Sequence, residues 1–201
     1  QNHLEEMVAS QVAEMTRMQD EVITGIANLI ESRDGSTGLH VKNTQNYVQI
    51  LTKALREKGM YPDILDHNYE LNTVKASVLH DIGKIKTPDA ILLKPGRLTD
   101  EEFEVMKQHT VAGCEIIDRI IGNVEHEEYV DIARKIARYH HERWDGTGYP
   151  DGLSGEEIPL CARIMALADV FDALYQDRCY KKAIRPASKV FEIIKENSGS
   201  Q

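Results

Sequence analysis

Eight histidines are spread through this 201-residue chain. Five of them, His40, His80, His109, His140 and His141, fall at or near the ends of segments with helical apolar spacing. Asp81 follows His80 directly, and Asp169 sits inside the apolar run "IMALADVF". An ionised carboxylate there is costly unless a cation or several hydrogen-bond donors meet it. A lone histidine at a helix end is ordinarily a hydrogen-bonded structural residue, but five of them with two such acids point to bound metal. Imidazole nitrogen with carboxylate oxygen suits iron, manganese, zinc or cobalt, and no thiolate stands near to build a cysteine-type zinc site. These side chains together exceed what one ion takes, so two metals sharing Asp81 is the economical arrangement. His3, His67 and His126 stand in polar surroundings and read as solvent-facing.

The elements that must hold these groups are helices. Apolar residues recur at helical spacing and almost nothing alternates with period two, which predicts an all-α fold. Residues 1–32 read as a linker helix. Val8, Met15, Val22 and Leu29 lie seven apart, with Leu4, Gln11, Met18 and Gly25 at the intervening places. That is a coiled-coil or signalling-helix pattern, although a long amphipathic helix packed on its own domain fits it equally. Residues 33–201 form the main domain. Helices are expected from His40 to about Lys58 and from Leu71 to His80, the second ended by Gly83 and Pro88. Thr99 with Glu102 three residues on makes a capping box for a helix carrying His109. Another from about Glu128 delivers His140 and His141. The stretch "LCARIMALADVFDALYQD" is a buried helix containing Asp169, and "RPASKVFEIIKEN" closes the chain as an amphipathic helix.

Charge narrows the function. A formal net charge of -9 argues against duplex nucleic acid or an anionic membrane as partner, since such binders need Lys/Arg-rich faces. A small phosphorylated substrate remains open if metal supplies positive charge. Cys114, Cys161 and Cys179 are widely spaced with no C-x-x-C pair, as expected of free thiols in a reducing compartment. No run approaches the roughly 18 apolar residues of a membrane span, and no signal-peptide segment is evident. The expectation is a cytoplasmic domain whose parent protein could be membrane-anchored upstream.

The order of motifs then carries a resemblance. "HDIGK" at His80 to Lys84, "TPDAILLKPGRLTDEEFEVMKQHTVAG", "HHERWDGTGYP" and "ALADVFDAL" together resemble the HD-GYP family, a bacterial subgroup of the HD-domain metal-dependent phosphohydrolases. The likeness runs from about Arg33 to Lys182. It implies a helical bundle around a bimetallic, in some members trimetallic, centre of iron or manganese. It also implies hydrolysis of the second messenger cyclic di-GMP to pGpG and on to GMP. His40, His80, Asp81, His109, His140, His141 and Asp169 match the family's ligands, with Asp81 as the bridge. Two metals roughly 3.5 to 4 Å apart lower the pKa of a shared water, making hydroxide available for in-line attack.

The same resemblance gives Lys84 a role in steadying phosphate charge or assisting the leaving oxygen. Arg178 and Lys181 resemble the family's phosphate-contacting residues, although Cys179 stands where proline is usual and Lys181 where arginine is usual. Gly146, Gly148, Tyr149 and Pro150 shape a lip. Tyr149 would meet guanine or a partner such as a diguanylate cyclase domain, while bracing of its own loop is the favoured reading for Tyr149 and for Trp144. Ser36 stands where many members have a glutamate ligand four residues before His40. This predicts two metals rather than three and puts the second hydrolytic step, from pGpG to GMP, in doubt. The linker implies an upstream sensor or receiver domain and a homodimer through the first helix. A regulatory module that binds a cyclic dinucleotide or a partner protein without turnover is the alternative, and a hydrolase of another nucleotide is a third reading.

Overall fold

The computed structural model describes residues 2–34, 39–122, 127–176 and 183–200. Eight α-helices follow one another among them: α1 Asn2–Glu31, α2 His40–Glu57, α3 His67–Ala76, α4 Asp89–Leu92, α5 Asp100–Ile121, α6 Glu127–Tyr139, α7 Leu160–Tyr175 and α8 Ala187–Glu196. The described residues hold no β-strand beyond an isolated bridge between Asp145 and Ser154, so the all-α expectation holds. No helix among them is long and apolar enough to cross a membrane.

Local chemistry explains most boundaries. Asp66 accepts a 2.7 Å hydrogen bond from the Tyr69 amide and starts α3 four residues before the expected Leu71. That helix ends at Ala76 and tightens into a 3₁₀ turn over Ser77–Leu79, so His80 leaves at the end of a tight turn. The Thr99 side chain caps α5, and Glu102 reaches back to the Thr99 amide at 2.7 Å, completing the capping box. Pro159 precedes α7, and the Cys161 amide donates to the Tyr69 hydroxyl at 3.1 Å, fixing α7 against α3.

The core is filled by Val41 and Val48 of α2, Ile117 of α5, Ile132 and Ile136 of α6, and Ile164 and Met165 of α7. Burying aliphatic side chains of this size contributes roughly 1.5–3 kcal/mol each. α1 joins this core only at its end, where Ala27 and Ile30 are buried and Asp20 pairs with Lys75 of α3 at 2.9 Å. Just beyond the helix, the Arg33 guanidinium donates to the carbonyls of Lys84, Ile85 and Thr87 and pairs with Asp89 at 2.6 Å. These contacts tie the end of α1 to the 3₁₀ segment Ile82–Lys86. Gly83, in that segment, lies so close to α5 that a Cβ there would fall 1.8 Å from the His109 carbonyl oxygen. Only glycine admits that approach.

Candidate metal centre

The neighbouring elements bring the predicted ligands to one place. His40 is the first residue of α2, His80 and Asp81 follow the 3₁₀ turn, and His109 lies within α5. His140 and His141 directly follow α6, and Asp169 lies on α7. The His80 Nε2 atom is 3.2 Å from Asp81 Oδ2, and His109 Nε2 is 3.3 Å from Asp81 Oδ1. His140 Nε2 approaches the same Oδ1 at 3.7 Å. His40 Nε2 lies 3.4 Å from Asp169 Oδ1.

Two sets of candidate ligand atoms result, each within 4.8 Å of one another: His40, His80 and Asp169, and Asp81, His109, His140 and His141. Each oxygen of Asp81 faces a different group of histidines. This is the geometry a bridging carboxylate needs.

The backbone settles which nitrogen each imidazole offers. The Nδ1 atoms of His80, His109 and His140 lie 2.9, 2.7 and 2.9 Å from the carbonyls of Ser77, Met106 and Ile136. A carbonyl only accepts, so Nδ1 carries the proton and Nε2 presents its lone pair to the centre. His40 Nδ1 instead meets the buried carboxylate of Asp172 at 2.7 Å.

The donor set fits divalent transition metal. His80 Nε2 and Asp81 Oδ1 are buried with no hydrogen-bond partner among the described residues, an arrangement that a cation resolves. Burial lowers the pKa of His80, yet the charges of Asp81, Asp169 and Glu31 outweigh it and raise it to about 9. Burial, helped by His140 and Lys84, lowers His109 to about 4, and His141 is likewise held well below its ordinary value by burial and by His140 and His109. Both are neutral near pH 7, as ligands must be. Burial pushes Asp81 up, but the charges of Lys84 and His80 hold it well below the usual carboxylate range. Lys84 Nζ sits 2.7 Å from Asp81 Oδ2.

Three acids join this centre without having been expected there. Glu31, the last residue of α1, is buried with Oε1 3.7 Å from His40 Nε2 and 3.9 Å from Lys84 Nζ. With His40 and Asp81 it forms a further candidate ligand group, although the single Nε2 lone pair of His40 serves one ion at a time. Asp172 orients His40. Glu142 organises the lip: its carboxylate accepts from the amides of Asp151, Gly152 and Leu153 at 2.7, 3.1 and 3.0 Å. The signal that singled out Asp169, an acid inside an apolar helix, was equally present for Asp172 in "DVFDAL". Glu31 gave no such signal, being one acid among several in an amphipathic helix.

The lip closes over the second ligand set. The Tyr149 amide donates to the His141 carbonyl at 3.2 Å, and its ring packs on His141 with centroids 4.8 Å apart. Burial, with the charges of Asp81 and Asp169, raises the Tyr149 hydroxyl well above its ordinary value, so it stays protonated. The turn runs through Gly146 at φ +78° and a cis Tyr149–Pro150 peptide. A Cβ on Gly148 would meet the Arg143 amide at 2.3 Å. Trp144 is flanked by the Arg163 guanidinium, 5.7 Å from its ring. A cavity of about 750 Å³ is lined by His140, His141, Tyr149 and Asp169 together with Trp144 and Arg163. Arg178 and Lys181 lie outside the described residues, as do Ser36 and Cys179.

Comparison with known proteins agrees with this architecture. The family described as "HD domain" matches residues 3–201, and the chain belongs to that family. A Vibrio cholerae protein named cyclic di-GMP phosphodiesterase is 46% identical over 189 residues, covering 92% of this chain and 38% of the relative. A second V. cholerae protein, named 3'3'-cGAMP-specific phosphodiesterase 2, is 37% identical over 170 residues, covering 85% of this chain and 30% of its own length. The chain thus spans about two fifths or less of the length of these relatives. Among solved structures, Bd1817 of Bdellovibrio bacteriovorus, described as a HDG"Y"P protein, superposes with a TM-score of 0.56 at 18% identity, covering 94% of this chain and 60% of the other. At that identity the likeness speaks for the fold.

Proposed function

We propose that this chain is a metal-dependent phosphodiesterase acting on cyclic di-GMP. The observation that carries the reading is Asp81, whose two oxygens face His80 on one side and His109 and His140 on the other. His40, His80 and Asp169 would hold one divalent ion and His109, His140 and His141 a second, with Asp81 between them; iron and manganese suit these nitrogen and oxygen donors. So held, two ions supply Lewis acidity toward a phosphodiester and an activated water.

The chain's own residues do the rest. The carbonyl-anchored histidines keep the donor atoms in place. Lys84, beside Asp81, is positioned to neutralise phosphate charge or to protonate the departing oxygen. Tyr149 braces the lip against His141 and lines the cleft. Arg178 and Lys181 are assigned to the phosphates on the resemblance of their motif. His40, with one free nitrogen for two candidate groups, supports two ions rather than three, with Glu31 adding a carboxylate beside the first.

The similarity to a relative named as cGAMP-specific favours one second reading, a related cyclic dinucleotide as substrate. Anaerobic protein reconstituted with Fe(II) or Mn(II) should convert cyclic di-GMP to pGpG, with cyclic GMP–AMP assayed in parallel. Faster turnover of the mixed dinucleotide would replace the first reading with the second. Bound metal with no product from either would leave a regulatory binding module.

A further inference from the structure

The first helix uses two opposite faces for two different purposes. Let Val8, Met15, Val22 and Leu29 be a positions of a heptad and Leu4, Gln11, Met18 and Gly25 its d positions. The residues seated against the domain, Asp20, Ile23, Ala27, Ile30 and Glu31, then fall at b, c or f, with the partly buried Asn28 at g. The b, c and f positions are the outer ones of a coiled coil. The a and d face is left uncovered, with Leu4 67%, Met15 60%, Val22 59% and Leu29 70% exposed. Residues 3–19 are exposed throughout, a length of lone helix that is marginal in water.

We propose that α1 pairs with α1 of a second copy in a parallel, two-stranded coiled coil along this seam. The chain's domain packs on the outer face of its own helix, and the seam residues stay exposed from Leu4 to Leu29, about 38 Å at about 1.5 Å per residue. Valine at two a positions, Val8 and Val22, favours two strands, and Gln11 at d penalises other registers.

Charge selects the orientation. In parallel register the flanking g and e residues pair as Met7 with Val12, Glu14 with Gln19 and Glu21 with Ile26, with no like charges opposed. The antiparallel arrangement that matches a to d sets Val8 against Gly25 and confronts Glu14 with Glu21 twice. Like charges so placed are unfavourable. Met7, Val12 and Ile26, themselves exposed, widen the apolar seam.

The test is sedimentation of the chain from micromolar to several hundred micromolar, together with oxidation of a Val8→Cys variant. A concentration-dependent dimer is expected, weakened at least about tenfold by Val8→Asp with the domain's melting temperature unchanged. Val8→Cys should form a thiol-reversible cross-linked dimer that wild type does not, because parallel strands place the two residues side by side. In the antiparallel form they stand about 25 Å apart, 17 residues at about 1.5 Å each. Val22→Asp, at another a position, repeats the first test where Val8→Asp expresses poorly. A chain that remains monomeric throughout overturns the pairing, as does a dimer indifferent to both aspartates. A dimer that the aspartates weaken but that never cross-links at position 8 overturns the parallel orientation.

Discussion

His40 Nδ1 lies 2.7 Å from Asp172 Oδ2, whereas the Nδ1 atoms of His80, His109 and His140 all meet main-chain carbonyls. A carboxylate partner makes an imidazole a more basic ligand than a carbonyl does. Asp172→Ala should weaken metal binding about 10- to 100-fold, read by competition with a chelator. Asp172→Asn keeps an acceptor for the Nδ1 proton and should lose less. Equal losses in the two variants would mean that Asp172 serves packing alone.

Asp81 and Lys84 separate ion binding from chemistry. Asp81→Ala removes the group shared by both histidine sets and should lower turnover by about 10³-fold or more, together with the metal content per chain. Lys84→Met should leave metal content near the wild-type level while kcat falls by about 10²-fold. Unchanged kcat in Lys84→Met would remove Lys84 from the reaction.

Glu142 holds three amides of the lip with one buried carboxylate. Glu142→Ala leaves those donors facing an apolar methyl, at a cost of about 1–3 kcal/mol for each that water does not reach. The melting temperature should drop by several degrees, and limited proteolysis should cut within 150–154 first. Cleavage elsewhere with an intact lip would contradict this role.

The stability of the metal-free protein should peak near pH 6.5. His109 titrates at about 4 when folded, below its ordinary 6.5, so the unfolded chain takes up the proton first as pH falls. Stability is therefore lost between about 6.5 and 4, on the order of 3 kcal/mol at about 1.4 kcal/mol per pH unit. His80, raised to about 9, acts in the opposite window. Its contribution is complete below 6.5 and disappears as pH climbs through 9. Urea midpoints of chelator-treated protein from pH 4.5 to 9.5 check both arms. Added metal should abolish the alkaline decline by replacing the His80 proton. A midpoint that rises steadily to pH 9 would show that His80 is not protonated.

The helices were legible from apolar residues at helical spacing, and the candidate ligands from histidines collected at or near the ends of those segments beside two acids. His40, His80, His109, His140 and His141 were conspicuous at those ends and Asp169 inside an apolar run, while Thr99 with Glu102 announced the start of α5 through local chemistry alone. The remainder depended on tertiary proximity. Glu31 belongs to the site because Ala27 and Ile30 seat its helix against the core, which no local spacing reveals. Glu142 was hidden by its neighbours, since an acid after two histidines on a polar stretch looks solvated. The four residues of α4 are too few for any periodicity. The 3₁₀ turn at Ser77–Leu79 replaces a last helical turn in sequence that suits either.

Glu31 terminates a helix about 45 Å long, 30 residues at about 1.5 Å each, whose residues 3–19 are exposed. Such a helix is a stiff shaft with a carboxylate at its driven end. A carboxylate about 6 Å from the helix axis moves through about 2 Å when the shaft turns by about 20°. Metal–ligand distances tolerate only about 0.2 Å. Ala27 and Ile30 in the core and Arg33 on the 3₁₀ segment hold that end, so any turn of the shaft would reach the carboxylate beside His40 only through these contacts.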